Sequence, residues 1–290
     1  MSMEHPHFMA LPSPDRNRAD ALLLPLPLEK TVSYGTGTSG GPSAILEATR
    51  QVETFDEETR VEFAEKPKIY CLPPLLMNGT IEACLQAIQH QARSLQGKFV
   101  VSLGGEHTAT YGTVLGLADD PAHVTVVQID AHADLADRLH GDYWSHGTVM
   151  RRLWEKGCQL LQIGIRSLTR DEYTLSTTES RITTYFAHQL DAEWPNLLQS
   201  LRDLKGKVYL TIDVDGLDPS VIPSTGTPQP GGLSWKQAMD VIRVLTNESP
   251  CELIGADIVE FVPSPVAPGC DPVAARLLCK LLAYWWMGRQ

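Results

Sequence analysis

Six short apolar runs, each followed by a longer stretch of helical period, constrain the fold of this chain more than any other feature. Ala21–Leu26, Lys98–Leu103, His123–Ile129, Gln159–Ile165, Lys207–Ile212 and Glu252–Asp257 read as strands. Pro42–Val52, Thr80–Leu95, Thr108–Leu117, Gly147–Lys156, Ala192–Leu204, Ser234–Leu245 and Asp271–Met287 read as helices. Parallel strands need a helix-length crossover, and a sheet covered on both faces has continuously apolar strands. The alternation therefore predicts an α/β architecture with a parallel sheet under helices. No linker or repeat interrupts the chain, so residues 1–290 read as a single domain, with the proline-rich residues 1–18 as a loosely held N-terminal arm. The last helix carries Trp285 and Trp286, but Arg276 and Lys280 interrupt it, which predicts a core or interface helix rather than a membrane span.

Charge narrows the partners. With 35 acidic against 24 basic residues the formal charge is −11, which disfavours nucleic acid and anionic membranes and suits a cationic ligand. The six cysteines are scattered without a C-x-x-C pair, as expected of reduced thiols. The start, MSMEHPHFMALPSPDRNR, lacks a basic segment followed by an apolar one, so a cytoplasmic location is expected.

The chemistry is concentrated just past the ends of the predicted strands. In QIDAHADL, Asp130, His132 and Asp134 sit at i, i+2 and i+4, one face of an extended segment. Open α/β sheets bind ligands at that edge. In VYLTIDVDGLDPS, Asp213 and Asp215 repeat the spacing, and two such carboxylates repel unless a cation lies between them. In SLGGEHTATYG, Gly104 and Gly105 permit a tight turn before His107. Each motif has a plainer reading, as helix caps or a satisfied loop histidine. Together they offer four carboxylates and two imidazoles, more than one zinc needs, which suits a pair of ions bridged by carboxylates. Oxygen and nitrogen donors without thiolate favour two Mn2+, with iron, cobalt or nickel as alternatives.

Other classes compete. GTGTSG at 35–40 satisfies the G-x-G-x-x-G of an NAD-dependent oxidoreductase, but the strand before it ends some eight residues too early. TGTPQPGG lacks the lysine of a phosphate loop. A binuclear phosphatase would want Arg, Lys or Asn beside the metals, and these motifs contain almost none. A non-catalytic metal-binding protein is the remaining alternative.

The motifs GGEH at 104–107, DAHAD at 130–134, SHG at 145–147, DVDGLDP at 213–219, TGTPQPGGL at 225–233 and VE at 259–260 together resemble the ureohydrolase (arginase and agmatinase) family in order and spacing. The resemblance runs from about Ser33 to the C-terminus. It implies a three-layer α/β/α sandwich with a mainly parallel, arginase-like sheet, assembled as a homotrimer or homohexamer. It implies that Asp130 and Asp213 bridge two metal ions, that His107 and Asp134 complete one site, and that His132 and Asp215 complete the other. Water activated by the ions, with Asp134 beside it, would be the nucleophile. Glu260 matches the guanidinium-binding glutamate, and His146 the residue that helps protonate the departing amine. Asp218 and Asp257 are expected in turn or supporting duties.

Glutamate stands before His107 where many relatives have aspartate, and VIPSTGTP replaces a commoner Ala-Pro-Gly run. Neither departure removes a ligand. The segment LADRLHGDYWSHGTVMRRL is similar to agmatinase loops more than arginase loops. Agmatine, cleaved to urea and putrescine for polyamine biosynthesis, is therefore the expected substrate, with guanidinobutyrate, guanidine and arginine as alternatives. Asp142 reads as a solvated loop charge.

Overall fold

Apolar residues with no polar alternation leave a strand no face for water, and each such run lies inside a single sheet. The computed structural model describes residues 6–290. Its strands are β1 Ala21–Leu26, β2 Ile69–Cys71, β3 Phe99–Gly104, β4 Val124–Ile129, β5 Gln159–Ile165, β6 Ile182–Phe186, β7 Lys207–Asp213 and β8 Glu252–Val259. They pair in the order β2-β1-β3-β8-β7-β4-β5-β6, every neighbour parallel. All six expected strands form. The two unexpected ones, β2 and β6, are the edges of the sheet, where a strand is short or half-buried and loses its continuous apolar signature.

The helices are α1 Gly41–Ala48, α2 Ile81–Arg93, α3 Ala109–Leu117, α4 Val149–Glu155, α5 Arg170–Thr178, α6 Leu190–Asp203, α7 Trp235–Asn247 and α8 Cys270–Met287. One face of the sheet packs against α1, α6, α7 and α8, the other against α2, α3 and α4, so the core is split into two halves and the molecule is an α/β/α sandwich. α5 was not expected, because RDEYTLSTT is almost wholly polar. Its start was nonetheless written in the chain: Thr169 and Glu172 form a reciprocal capping box. α3 is buried on every side, and at Gly112 an added Cβ would lie 2.8 Å from Ile88 of α2. Close helix contact there depends on the missing side chain.

α8 is a core helix, as expected. Its Lys280, only 3% exposed, is tolerated because its ammonium lies 2.8 Å from Asp56 and 3.0 Å from Glu58. Among the described residues no helix is long and apolar enough to cross a membrane. The N-terminal arm needs correction. Residues 1–5 lie outside the described residues, but Phe8 and Met9 are buried, Phe8 packs edge-on against Phe63, and Met9 N donates to Thr49 Oγ1 at 2.9 Å. Two apolar side chains in sequence anchor a segment that its prolines alone made look loose.

The strand order positions the site. The chain leaves β3, crosses through α3, and lays β4 three places away. The gap is filled later by β8 and β7. Four segments far apart in sequence thus end side by side, with Leu103 level with Ile258, Ile258 with Ile212, and Ile212 with Ile129.

Candidate metal centre

Beyond these four strand ends the expected residues converge. From the turn after β3, His107 points Nδ1 at Asp134 Oδ2 (3.0 Å), Asp130 Oδ2 (3.2 Å) and Asp213 Oδ2 (3.6 Å). His132, two residues past Asp130, points Nδ1 at Asp215 Oδ2 (3.1 Å). Two groups result, His107/Asp130/Asp134 and Asp130/His132/Asp215, each with ligand atoms within 4.8 Å of one another, and Asp130 belongs to both. Asp213 lies in neither group. Its Oδ2 faces His107 and its Oδ1 accepts from Asp215 N at 2.9 Å.

The turn that delivers His107 requires glycine. Gly105 N donates to Leu26 O and Gly105 O accepts from Glu260 N, both at 2.8 Å, and a Cβ on Gly105 would collide with the Leu28 carbonyl oxygen. Asp134 and Glu260 both hold positive φ, +53° and +62°. Non-glycine residues pay for that conformation with strain, which persists where surrounding bonds over-determine it. Here Asp134 O accepts from Arg151 N, and Glu260 is fixed by its backbone bond to Gly105 and by Oε1 accepting from His107 N at 2.7 Å.

One tautomer of His107 suits what lies on both sides of it. The buried Asp257 carboxylate of β8 accepts from Thr110 Oγ1 (2.7 Å) and Tyr209 OH (2.8 Å) through a single oxygen. Thr211 Oγ1 of β7 lies 2.9 Å from His107 Nε2 and can accept from it, the tautomer that leaves Nδ1 unprotonated. Nδ1 is then a lone pair aimed at three carboxylates, and it is a buried atom without a hydrogen-bond partner. A lone pair facing anions is stable only if a cation sits between them, so the donor set fits a divalent metal. Asp257 bonds Thr110 and Tyr209 rather than a residue of the cluster, while Asp218 serves a turn through Ser220, Gly231 and Gly232.

The electrostatics without an ion point the same way. Burial raises the Asp134 carboxyl to about 7, helped by Asp130, and raises Glu260 to about 8. Burial and Asp215 push Asp213 well up. Burial alone would lower both histidines, but the carboxylates facing them reverse this, carrying His132 to about 11 and His107 well above its ordinary value. Protons are the only cations these groups can hold until a metal displaces them.

His146 stands at the edge of the cluster, at the start of the turn before α4 that Ser145 and Thr148 cap reciprocally. Its Nε2 is 3.1 Å from Ser33 Oγ, and its backbone N donates to Thr31 Oγ1 at 3.1 Å. Burial holds its imidazole below the ordinary range. Sequence reasoning missed the residue beneath this arrangement. The buried Glu106 carboxylate accepts from Lys30 N and Thr31 N at 2.6 Å each and from Thr31 Oγ1 at 3.0 Å, tying the loop after β1 to His146. It also missed Gln128 and Gln162, which fix Asp130 and the loop after it: Gln128 Nε2 donates to Asp130 Oδ2, and Gln162 Nε2 to Gln128 Oε1 and Ala133 O. Two glutamines inside otherwise apolar strands were the available signal. At the glycine-rich loop 35–40, the amides of Gly37 and Ser39 donate to Glu29, so a carboxylate of the chain itself fills the anion position. That removes the oxidoreductase reading.

The profile of the arginase family matches residues 19–284. The chain belongs to the arginase family. This arginase-family hydrolase is 36% identical over 277 residues to the N(1)-aminopropylagmatine ureohydrolase of Synechocystis sp., across 92% of this chain and 89% of that protein. It is 32% identical over 275 residues to the agmatinase of Pyrococcus horikoshii, across 93% of each. The agmatine ureohydrolase of Thermoplasma volcanium shares its fold, with a TM-score of 0.85 at 24% identity over 99% of this chain and 96% of that one. The fold expected from the resemblance is therefore the fold found, and the chain is an agmatinase-like ureohydrolase.

Proposed function

We propose that the protein hydrolyses a guanidino-alkylamine of the agmatine type to urea and the corresponding amine, agmatine itself giving putrescine. The observation that carries this reading is the single buried carboxylate, Asp130, shared by two histidine-containing groups, with Glu260 beside them. His107 and Asp134 would hold one ion, His132 and Asp215 the other, with Asp130 and Asp213 between them. Bound there, divalent ions such as Mn2+ supply Lewis acidity and lower the pKa of water toward neutrality. The remaining work belongs to the chain. Glu260 has one carboxylate oxygen committed to His107 N and the other, among the described residues, without a hydrogen-bond partner, so it can hold the planar guanidinium by charge and hydrogen bonding. His146, held by Ser33 and Thr31, offers an imidazole nitrogen that can relay a proton to the amine as it leaves. The activities for which the relatives are named support an agmatine-like substrate, and the net charge of −11 suits its cationic form. Assembly as a trimer or hexamer and a cytoplasmic location belong to the same reading.

The test strips the protein of metal, reloads it with Mn2+ and measures urea from agmatine, N1-aminopropylagmatine, arginine, guanidinobutyrate and guanidine. Urea from an amine-ended substrate supports the reading. Urea only from arginine or guanidinobutyrate replaces the substrate, and none from any, with metal bound and the fold intact, refutes the reaction.

A further inference from the structure

The substrate arm is the open question once His146 is placed at the leaving nitrogen, and the inference here rests on that reading. The alkyl chain borne by that nitrogen must run outward past His146. Beside it lies a cavity of about 310 Å3 reached through Thr31, whose hydroxyl accepts from His146 N. Glu82, from the first turn of α2, and Asp142, from the loop after β4, both line it. They come from separate segments, and among the described residues neither carboxylate has an ion-pair or hydrogen-bond partner. Tyr143 and Trp144 form an aromatic wall, rings edge-on at 5.0 Å. That wall is held from behind: the buried Arg152 guanidinium lies 3.8 Å from the Tyr143 ring centroid, and Tyr111 packs edge-on against Trp144 at 4.7 Å. Lys30 also lines the cavity, so the local balance is one net negative charge.

Methylenes are desolvated against aromatic walls, whereas ammonium groups need carboxylates, and this cavity offers both within reach of one arm. We propose that it is the subsite for the far end of the amine arm and that it selects guanidino polyamines carrying a second ammonium over those that carry one. Agmatine has a single ammonium. An aminopropyl extension adds another, matching two otherwise unpartnered carboxylates. Asp142, read from sequence as a solvated charge, becomes a specificity residue.

The test compares the wild-type protein with the E82Q/D142N variant, both loaded with Mn2+, on agmatine and N1-aminopropylagmatine. The expected result is a wild-type preference for the extended substrate, and a roughly tenfold fall in the ratio of kcat/KM values, carried by KM. Both positions are exposed, so the variant should keep its fold. Equal losses on the two substrates, no loss on either, or a wild-type preference for guanidinobutyrate read by Lys30 would overturn the proposal. Calorimetric binding of spermidine, the triamine left after urea departs from the extended substrate, separates the two readings. Spermidine binding that weakens in the variant supports the subsite even if no urea is formed, in which case the proposed reaction fails alone. Spermidine binding equally to both proteins overturns the subsite whatever the turnover.

Discussion

Replacing Thr211 by valine tests the tautomer argument at the centre of the site. Valine keeps the shape and packing of β7 and removes only the oxygen that accepts from His107 Nε2 at 2.9 Å. Two losses follow. A buried N–H without a partner costs about 1–3 kcal/mol of folding stability. The imidazole is also free to take the other tautomer or to turn, and losing such an orienting partner typically costs about 10- to 100-fold in metal affinity, or about 1.4–2.7 kcal/mol. Titration of the metal-free protein with Mn2+ against a chelator, beside urea denaturation of the same samples, reads both effects. The weakening should concern the ion held by His107, with the group around His132 and Asp215 little changed. A T211V protein that binds both ions within twofold of wild type at unchanged stability would mean that Thr211 does not set the tautomer, and the argument for a lone pair facing the carboxylates would collapse.

Asp134→Ala should lower bound metal and cut urea release by about two orders of magnitude or more, whereas His146→Ala should cut release with metal content intact; a fully active form of either removes that residue from the mechanism. The metal-free protein should lose stability as pH rises from about 5 to 8. Asp134 and Glu260 are raised to about 7 and about 8, so the folded chain keeps protons that the unfolded chain has already released, and each retained proton makes the slope about 1.4 kcal/mol per pH unit. Mn2+ takes the place of those protons, so melting curves of the loaded protein should stay nearly flat over the same range. Parallel pH dependences for the two forms would show that metal and protons do not compete for these groups.

The clustering of the candidate metal-binding residues was legible because their spacing is local. Asp130, His132 and Asp134 at alternate positions past a strand need only the extended backbone to converge, and Asp213 and Asp215 repeat the device. That β3, β8, β7 and β4 stand side by side was not in any one motif, since adjacency depends on the order in which crossovers place the strands. The edge strands β2 and β6 and the polar α5 escaped because half-exposed elements carry weak apolar periodicity. The bond from Glu106 to Thr31 spans 75 residues and no pattern of residue types announces it. Asp142 is exposed, as its loop position suggested; only Glu82, from a different segment lining the same cavity, gives it the role proposed above.

Glu106 gives the molecule a seam. The proposed ligand set is delivered by β3, β4 and β7, with Glu260 after β8, whereas the cavity beyond His146 is shaped by the loop after β1, the start of α2 and the far part of the loop after β4. Glu106 belongs to the first group by position and grips the second through Lys30 and Thr31. Loops can therefore be exchanged to suit a longer or shorter substrate without disturbing a metal ligand, provided the incoming loop still offers two amides and a hydroxyl to that carboxylate. Redesign of substrate choice in this scaffold should begin by keeping Glu106 and Thr31 and varying what lies on either side of them.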